Sequence, residues 1–152
     1  MKLSYFPLSV NIRGKRLVFI GGGKVAERKI ASLIRMEPKI RVIAPSATEG
    51  IMNNEGIETI LRVASAEDMR GADFLFICTD DKEVNRELAI EAKIKNIPVN
   101  VADDPDMSDF HMPAVYADMD TGTVVSVSTQ GQEPSFSKKL RDKIAVFLEK
   151  GE

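Results

Sequence analysis

The stretch LVFIGGGKVAERK (residues 17–29) joins an apolar run, three consecutive glycines and a charged helix start. Its order Gly21-x-Gly23-x-x-Ala26 lies directly after a strand pattern and before a helical one. Gly21 lets the chain turn tightly, Gly23 lets the backbone approach a pyrophosphate, and Ala26 permits close packing of helix on strand. The start of such a helix offers unpaired N–H groups and the positive end of the helix dipole to phosphates. This segment therefore predicts a phosphate-cradling turn at the edge of a parallel sheet.

Outward from that turn the chain alternates. RLVFIG, IRVIAP, IETILRV, ADFLFICT and PVNVAD are short apolar runs bounded by turns or breakers, and helical spacing fills the intervals between several of them. That order predicts five parallel strands with crossover helices on both faces, a Rossmann-type α/β fold. Val25, Ile30, Leu33 and Ile34 form the apolar stripe of the first helix, which Pro38 stops. Val84, Leu88, Ala89 and Ala92 do the same for a helix over residues 80–97. Beyond residue 113 the texture changes to one strand, TGTVVSVST, and one amphipathic helix, PSFSKKLRDKIAVFLEK, with Pro134 near its start. A strand and a helix cannot bury their own apolar faces, which predicts packing on the main domain or on a second copy. The expected division is a nucleotide-binding domain over 1–113 and a dimerisation region over 114–152.

Composition narrows the function classes. The chain has 152 residues, 43% hydrophobic and 29% charged, with a formal net charge of −2, so it has no general attraction to nucleic acid or to an anionic membrane. No apolar stretch approaches the roughly 20 residues needed to span a bilayer, and the start has no signal-peptide core. The single cysteine, Cys78, excludes an intrachain disulfide and fits a cytoplasmic setting. Its apolar neighbours predict a buried, inert thiol.

Three further clusters accompany the glycine turn. The second strand ends at Ala44-Pro45-Ser46, with no acidic residue to take ribose hydroxyls; backbone groups with Ser46 or Thr48 would hold the ribose. Thr79-Asp80-Asp81 follows the strand ADFLFIC. There Thr79 is the candidate for lining the cofactor crevice, and Asp80 or Asp81 for capping the next helix. NVADDPDMSDFHMPA holds Asp103, Asp104, Asp106 and Asp109. Its spacing matches no calcium loop, so no metal is expected, and a bland acidic loop is the alternative reading. Following the fifth strand at the sheet edge of the glycine turn, one of these carboxylates is placed to remove a proton from a carbon acid while hydride leaves to a cofactor. His111, among Phe110, Met112 and Pro113, is read as structural rather than catalytic.

YFPLSVNIRGKRLVFIGGGKVAERK, CTDDKEVN, NVADDPDMSDFHMPA and VVSVSTQGQEPSFSKKLRDKI together resemble the precorrin-2 dehydrogenase module of siroheme synthases. The resemblance implies an NAD-dependent oxidation of precorrin-2 to sirohydrochlorin, with iron insertion as a further activity in some members. It implies Asp103 as the general acid/base. Lys24 and Val25, next to Gly21, Gly22 and Gly23, fall at the family's cofactor-turn positions, and Pro45 and Ser46 at its adenosine side. It also implies a homodimer, with the further helical domain into which family members continue expected to be missing here. A substrate with eight carboxylates calls for Lys24, Arg28, Lys138, Lys139 and Arg141, the last three having a solvated helix face as the alternative. A different class, a nucleotide-sensing regulatory domain without catalysis, shares the glycine turn but usually carries the acidic residue missing after the second strand.

Overall fold

The computed structural model describes residues 4–150. They fall into two compact units, one formed by Leu8–Phe110 and one whose described parts are residues 4–7 and 111–150.

The first unit is a five-stranded parallel sheet. Its strands are β1 (Arg16–Gly22), β2 (Lys39–Ala47), β3 (Ile57–Leu61), β4 (Phe74–Ile77) and β5 (Val99–Val101), in the spatial order β3-β2-β1-β4-β5. The principal helices are α1 (Lys24–Leu33), short α2 (Glu49–Met52) and α3 (Lys82–Ile94). The chain leaves β1 toward β2 on one side and returns to β4 on the other. The carboxyl ends of β1 and β4 therefore flank a topological switch point, where open α/β sheets bind ligands.

Register assigns the two faces. Phe19 is level with Val42 and Phe76, and the Phe19 and Phe76 rings stack 4.4 Å apart. Asn100 is level with Phe76 and receives the ammonium of Lys29, so α1 covers this face. Val18, Ile20, Ile43, Leu75, Ile77, Val99 and Val101 form the other face, packed with Leu88, Ala89 and Ala92 of α3. Burying each such large side chain contributes about 1.5–3 kcal/mol. A near-continuous apolar strand such as Leu17–Ile20 is what two covered faces demand. The expected five parallel strands and both-face helices are thus present.

The structure corrects several boundaries. β2 does not stop at Ala44-Pro45-Ser46 but runs to Ala47, with an irregularity in its pairing to β1 between Ile20 and Gly22. Pro45 sits in that irregularity, where a missing N–H costs no ladder bond. β3 is shorter than IETILRV. Its successor Arg62 instead grips Asp68, Nη1 to Oδ2 at 2.8 Å and Nη2 to Oδ1 at 2.5 Å. That guanidinium holds the Asp68 carboxyl well below the usual carboxylate range, at about 2. On α3 the buried stripe is Asn85, Leu88, Ala89 and Ala92, and Val84 is exposed.

In the second unit the region after residue 113 contains two strands, not one. β6 (Ala114–Ala117) and β7 (Val124–Val127) pair antiparallel, and α4 (Pro134–Lys150) packs on both. The hairpin turn is tied by Asp118, whose carboxylate accepts from the N–H groups of Asp120 and Thr121. The Thr129 hydroxyl accepts from the N–H of Glu133 and meets Ser137, fixing the start of α4. Tyr5 packs edge-on against His111, with ring centroids 4.3 Å apart. Among the described residues no helix is long and apolar enough to cross a membrane.

Candidate functional site

The glycine turn is made by close approach. Gly21 has φ +106°, and a Cβ there would lie 2.4 Å from the carbonyl oxygen of Cys78. No side chain fits that position, and few residues adopt its backbone conformation. A Cβ on Gly22 would lie 2.6 Å from the Ser46 carbonyl oxygen. The two glycines therefore seat the end of β1 against β4 on one side and β2 on the other. Gly23 differs: nothing lies within 4 Å of where its Cβ would be. It is the N-cap of α1, with φ −78°, and no side chain caps the helix. The N–H groups of the first turn, carried by Lys24, Val25 and Ala26, are left for another partner. Lys24 and Val25 are exposed there and Ala26 is buried.

At the neighbouring end of β2, Pro45 and Ser46 are exposed. The Thr48 N–H donates to the Gly22 carbonyl at 2.9 Å, while its hydroxyl is enclosed with no hydrogen-bond partner. Ser46 is accordingly the more open of the two hydroxyls proposed for this edge.

On the other side of the switch point, Thr79 and Asp103 are joined by a residue that the sequence reading missed. The Asn85 side chain, only 2% exposed, donates from Nδ2 to the Thr79 carbonyl and to Asp103 Oδ1, both at 3.0 Å. Its Oδ1 accepts from the Thr79 hydroxyl at 2.5 Å. Asp81, not Asp80, caps α3: its carboxylate accepts from Glu83 and Val84 at 3.0 and 3.1 Å.

The acidic loop divides its labour. Asp104 caps the turn Pro105–Met107, and Asp109 accepts from the Val99 N–H at 3.0 Å. Asp103 remains exposed at the mouth of a small pocket lined by Lys82, Asn85, Arg86, Val101, Asp104 and Met107. No group of three or more His, Cys, Asp or Glu suited to a metal occurs among the described residues.

Below this edge, half-buried Lys29 donates to Asn100 Oδ1 at 2.8 Å. Burial lowers the pKa of its ammonium. Burial likewise pushes the Cys78 thiol up to about 11, with Lys29 opposing the rise and Asp103 adding to it. Of the cations proposed for substrate, Lys24 and Arg28 lie exposed on α1. Lys138 and Lys139 lie exposed on α4, where Arg141 donates to the Val115 carbonyl and pairs with Asp142.

Residues 8–114 match the profile of the NAD_binding_7 family, described as "Putative NAD(P)-binding". The chain belongs to this family. A siroheme synthase of Gluconacetobacter diazotrophicus is 34% identical over 155 residues, covering 97% of this chain and 32% of that enzyme. A siroheme synthase of Methylococcus capsulatus is 36% identical over 150 residues, covering 96% and 31%. The chain thus spans about a third of the length of these curated relatives. Among solved structures, SirC, precorrin-2 dehydrogenase, superposes with a TM-score of 0.80 at 21% identity over 93% of this chain and 70% of that one, a likeness of fold.

The turn fits the dinucleotide expected of this NAD(P)-binding family member. Two glycines are consumed by packing and the third leaves open space beside uncapped N–H groups. From Ser46 through Gly22, Gly21 and Thr79 to Asn85 and Asp103, each residue touches or would crowd the next along one sheet edge.

Proposed function

We propose that this chain is an NAD-dependent precorrin-2 dehydrogenase of siroheme biosynthesis. The observation that carries the reading is the continuity of the glycine turn with Asp103 along one edge of the sheet. A dinucleotide-binding turn alone suits sensing as well as catalysis, whereas an exposed carboxylate tied into its far wall supplies a proton acceptor for a reaction. The siroheme synthases that align with nearly the whole chain support the same substrate.

NAD bound at the turn supplies a two-electron acceptor for hydride. Gly23 and the first turn of α1 would hold its pyrophosphate, with Pro45 and Ser46 on the adenosine side and Thr79 lining the crevice. Asp103 takes the proton that leaves the substrate carbon skeleton as the hydride departs, so that removal of two electrons and two hydrogens balances. Lys82 and Arg86, which line the Asp103 pocket, are suited to substrate carboxylates.

The exposed Phe136, Leu140, Val146, Phe147 and Leu148 of α4 support a homodimer. A cytoplasmic location accords with the proposed substrate. An anaerobic assay with precorrin-2 and NAD+, following NADH and the tetrapyrrole spectrum together, tests the function. Stoichiometric NADH and sirohydrochlorin are expected. Tight NAD binding with no turnover would overturn the reading in favour of a nucleotide sensor.

A further inference from the structure

We propose that Asn85 is the positioning residue of the site, fixing the carboxylate of Asp103 in the orientation from which it accepts a proton; this rests on the reading of Asp103 as the base. Asp103 stands on an exposed loop just after β5, where a carboxylate has no packing to restrain it. The restraint comes from a different element. Asn85, in the first turns of α3, is buried and all its polar capacity toward the site is spent.

The amide can sit only one way round. Its oxygen accepts from the Thr79 hydroxyl, while its nitrogen faces two acceptors, the Thr79 carbonyl and Asp103 Oδ1. Reversing it would set the amide oxygen against both of those acceptors. Thr79 is in turn fixed at its hydroxyl, which accepts from the Asp81 N–H at 3.2 Å. Asp81 is the N-cap of α3. The start of the helix therefore holds Thr79 and Asn85, and Asn85 holds one oxygen of Asp103, leaving Oδ2 for substrate. Thr79 also borders Gly21, so the same amide sets the spacing between the cofactor crevice and the base. Misplacement of a reacting group by about 1 Å costs on the order of 100-fold in rate.

Two kinds of measurement test this. In the nitrogen-15-labelled chain, the two side-chain amide protons of Asn85 should exchange with water more slowly than those of exposed Asn and Gln. In Asp103→Ala one of the two should shift and lose protection while the other, bonded to Thr79, keeps it. With precorrin-2 and NAD+, Asn85→Leu should lower kcat on the order of 10- to 100-fold with KM for precorrin-2 little changed.

Asn85→Asp supplies a variant of nearly unchanged shape that lacks the donor. It should be equally impaired at alkaline pH and recover on acidification, because two adjacent carboxyls share one proton and regain the lost hydrogen bond. Among the described residues, the other charged groups lining the Asp103 pocket are Lys82 and Arg86 of α3 and Asp104 of its own loop, with Cys78, just after β4, interacting electrostatically. All are common to both chains, so the parent protein should show no such recovery. Fast exchange of the Asn85 amide, indifferent to Asp103→Ala, overturns the proposal. So does an Asn85→Leu variant with unchanged kcat where Asp103→Ala is inactive, which refutes positioning and leaves the base standing. Unchanged turnover in Asp103→Ala removes the base and the proposal with it.

Discussion

The two walls of the switch point are built by opposite means. The wall at the end of β1 is made by leaving side chains out: Gly21 and Gly22 admit neighbouring backbone, and Gly23 leaves a space. The wall beyond β4 is made by side chains hydrogen-bonded one to the next, Thr79 to Asn85 and Asn85 to one oxygen of Asp103. A cofactor phosphate needs room and N–H groups, which backbone provides at any copy of the motif. A proton transfer needs one atom in one place, which only a locked side chain provides.

Breaking the first wall should have the largest effect. Gly21→Ala forces a methyl to within 2.4 Å of the Cys78 carbonyl oxygen at a φ of +106°. The cost, on the order of 3 kcal/mol or more, is a large fraction of ordinary domain stability. Denaturant unfolding or the yield of soluble protein reads it directly, and near-native stability would mean that β1 and β4 are not held so closely.

Next comes the second wall. Asp103→Ala should reduce turnover on the order of 100-fold or more while lowering the melting temperature only slightly and leaving NAD affinity nearly unchanged, since the carboxylate is exposed and water can replace it as the acceptor for Asn85. Gly23→Ala should act in the complementary sense and more mildly. Its stability cost is under about 1 kcal/mol, because φ is −78° and the space is open. Its dinucleotide affinity should fall about tenfold, equivalent to about 1.4 kcal/mol. Titration calorimetry with NAD+ checks it, and undiminished binding would show that the open space is not where the pyrophosphate lies.

The same contrast explains what the sequence disclosed. The first wall is written locally: three glycines between an apolar run and a helix start carry the turn in consecutive residues, and alternation along the chain carries the parallel sheet. The second wall joins residues 79, 85 and 103 from β4's end, α3 and a loop after β5. The sequence offers Thr79 from its place after the fourth strand and Asp103 from the family resemblance, but not the amide between them. A signal was present. Asn85 lies one turn before Ala89 on the buried stripe of α3, where an apolar residue is expected, and assigning that place to Val84 concealed it. β6 was missed for a different reason. AVYA is too short for a period to stand out, and only its pairing with β7 defines it as a strand. The run of β2 through Pro45 was hidden because proline ordinarily ends a central strand.

The smallest effect concerns Cys78, the residue between the walls, whose carbonyl meets Gly21 and whose thiol interacts electrostatically with Asp103. Burial lifts the thiol to about 11, so at neutral pH the folded chain holds very little thiolate. Alkylation by iodoacetamide should be on the order of 100-fold slower than in the denatured chain. The charges on either side then act as fine adjustment. Because the Asp103 carboxylate raises this pKa and the Lys29 ammonium lowers it, Asp103→Ala should speed alkylation a little and Lys29→Met should slow it. Both changes are expected within about a single pKa unit. Opposite signs in the two variants would place the thiol between a cation on α1 and an anion after β5, electrically in contact with both walls. Equal rates would confine the Asp103 charge to solvent, where it has no hold on the interior and the side-chain wall ends at Asn85.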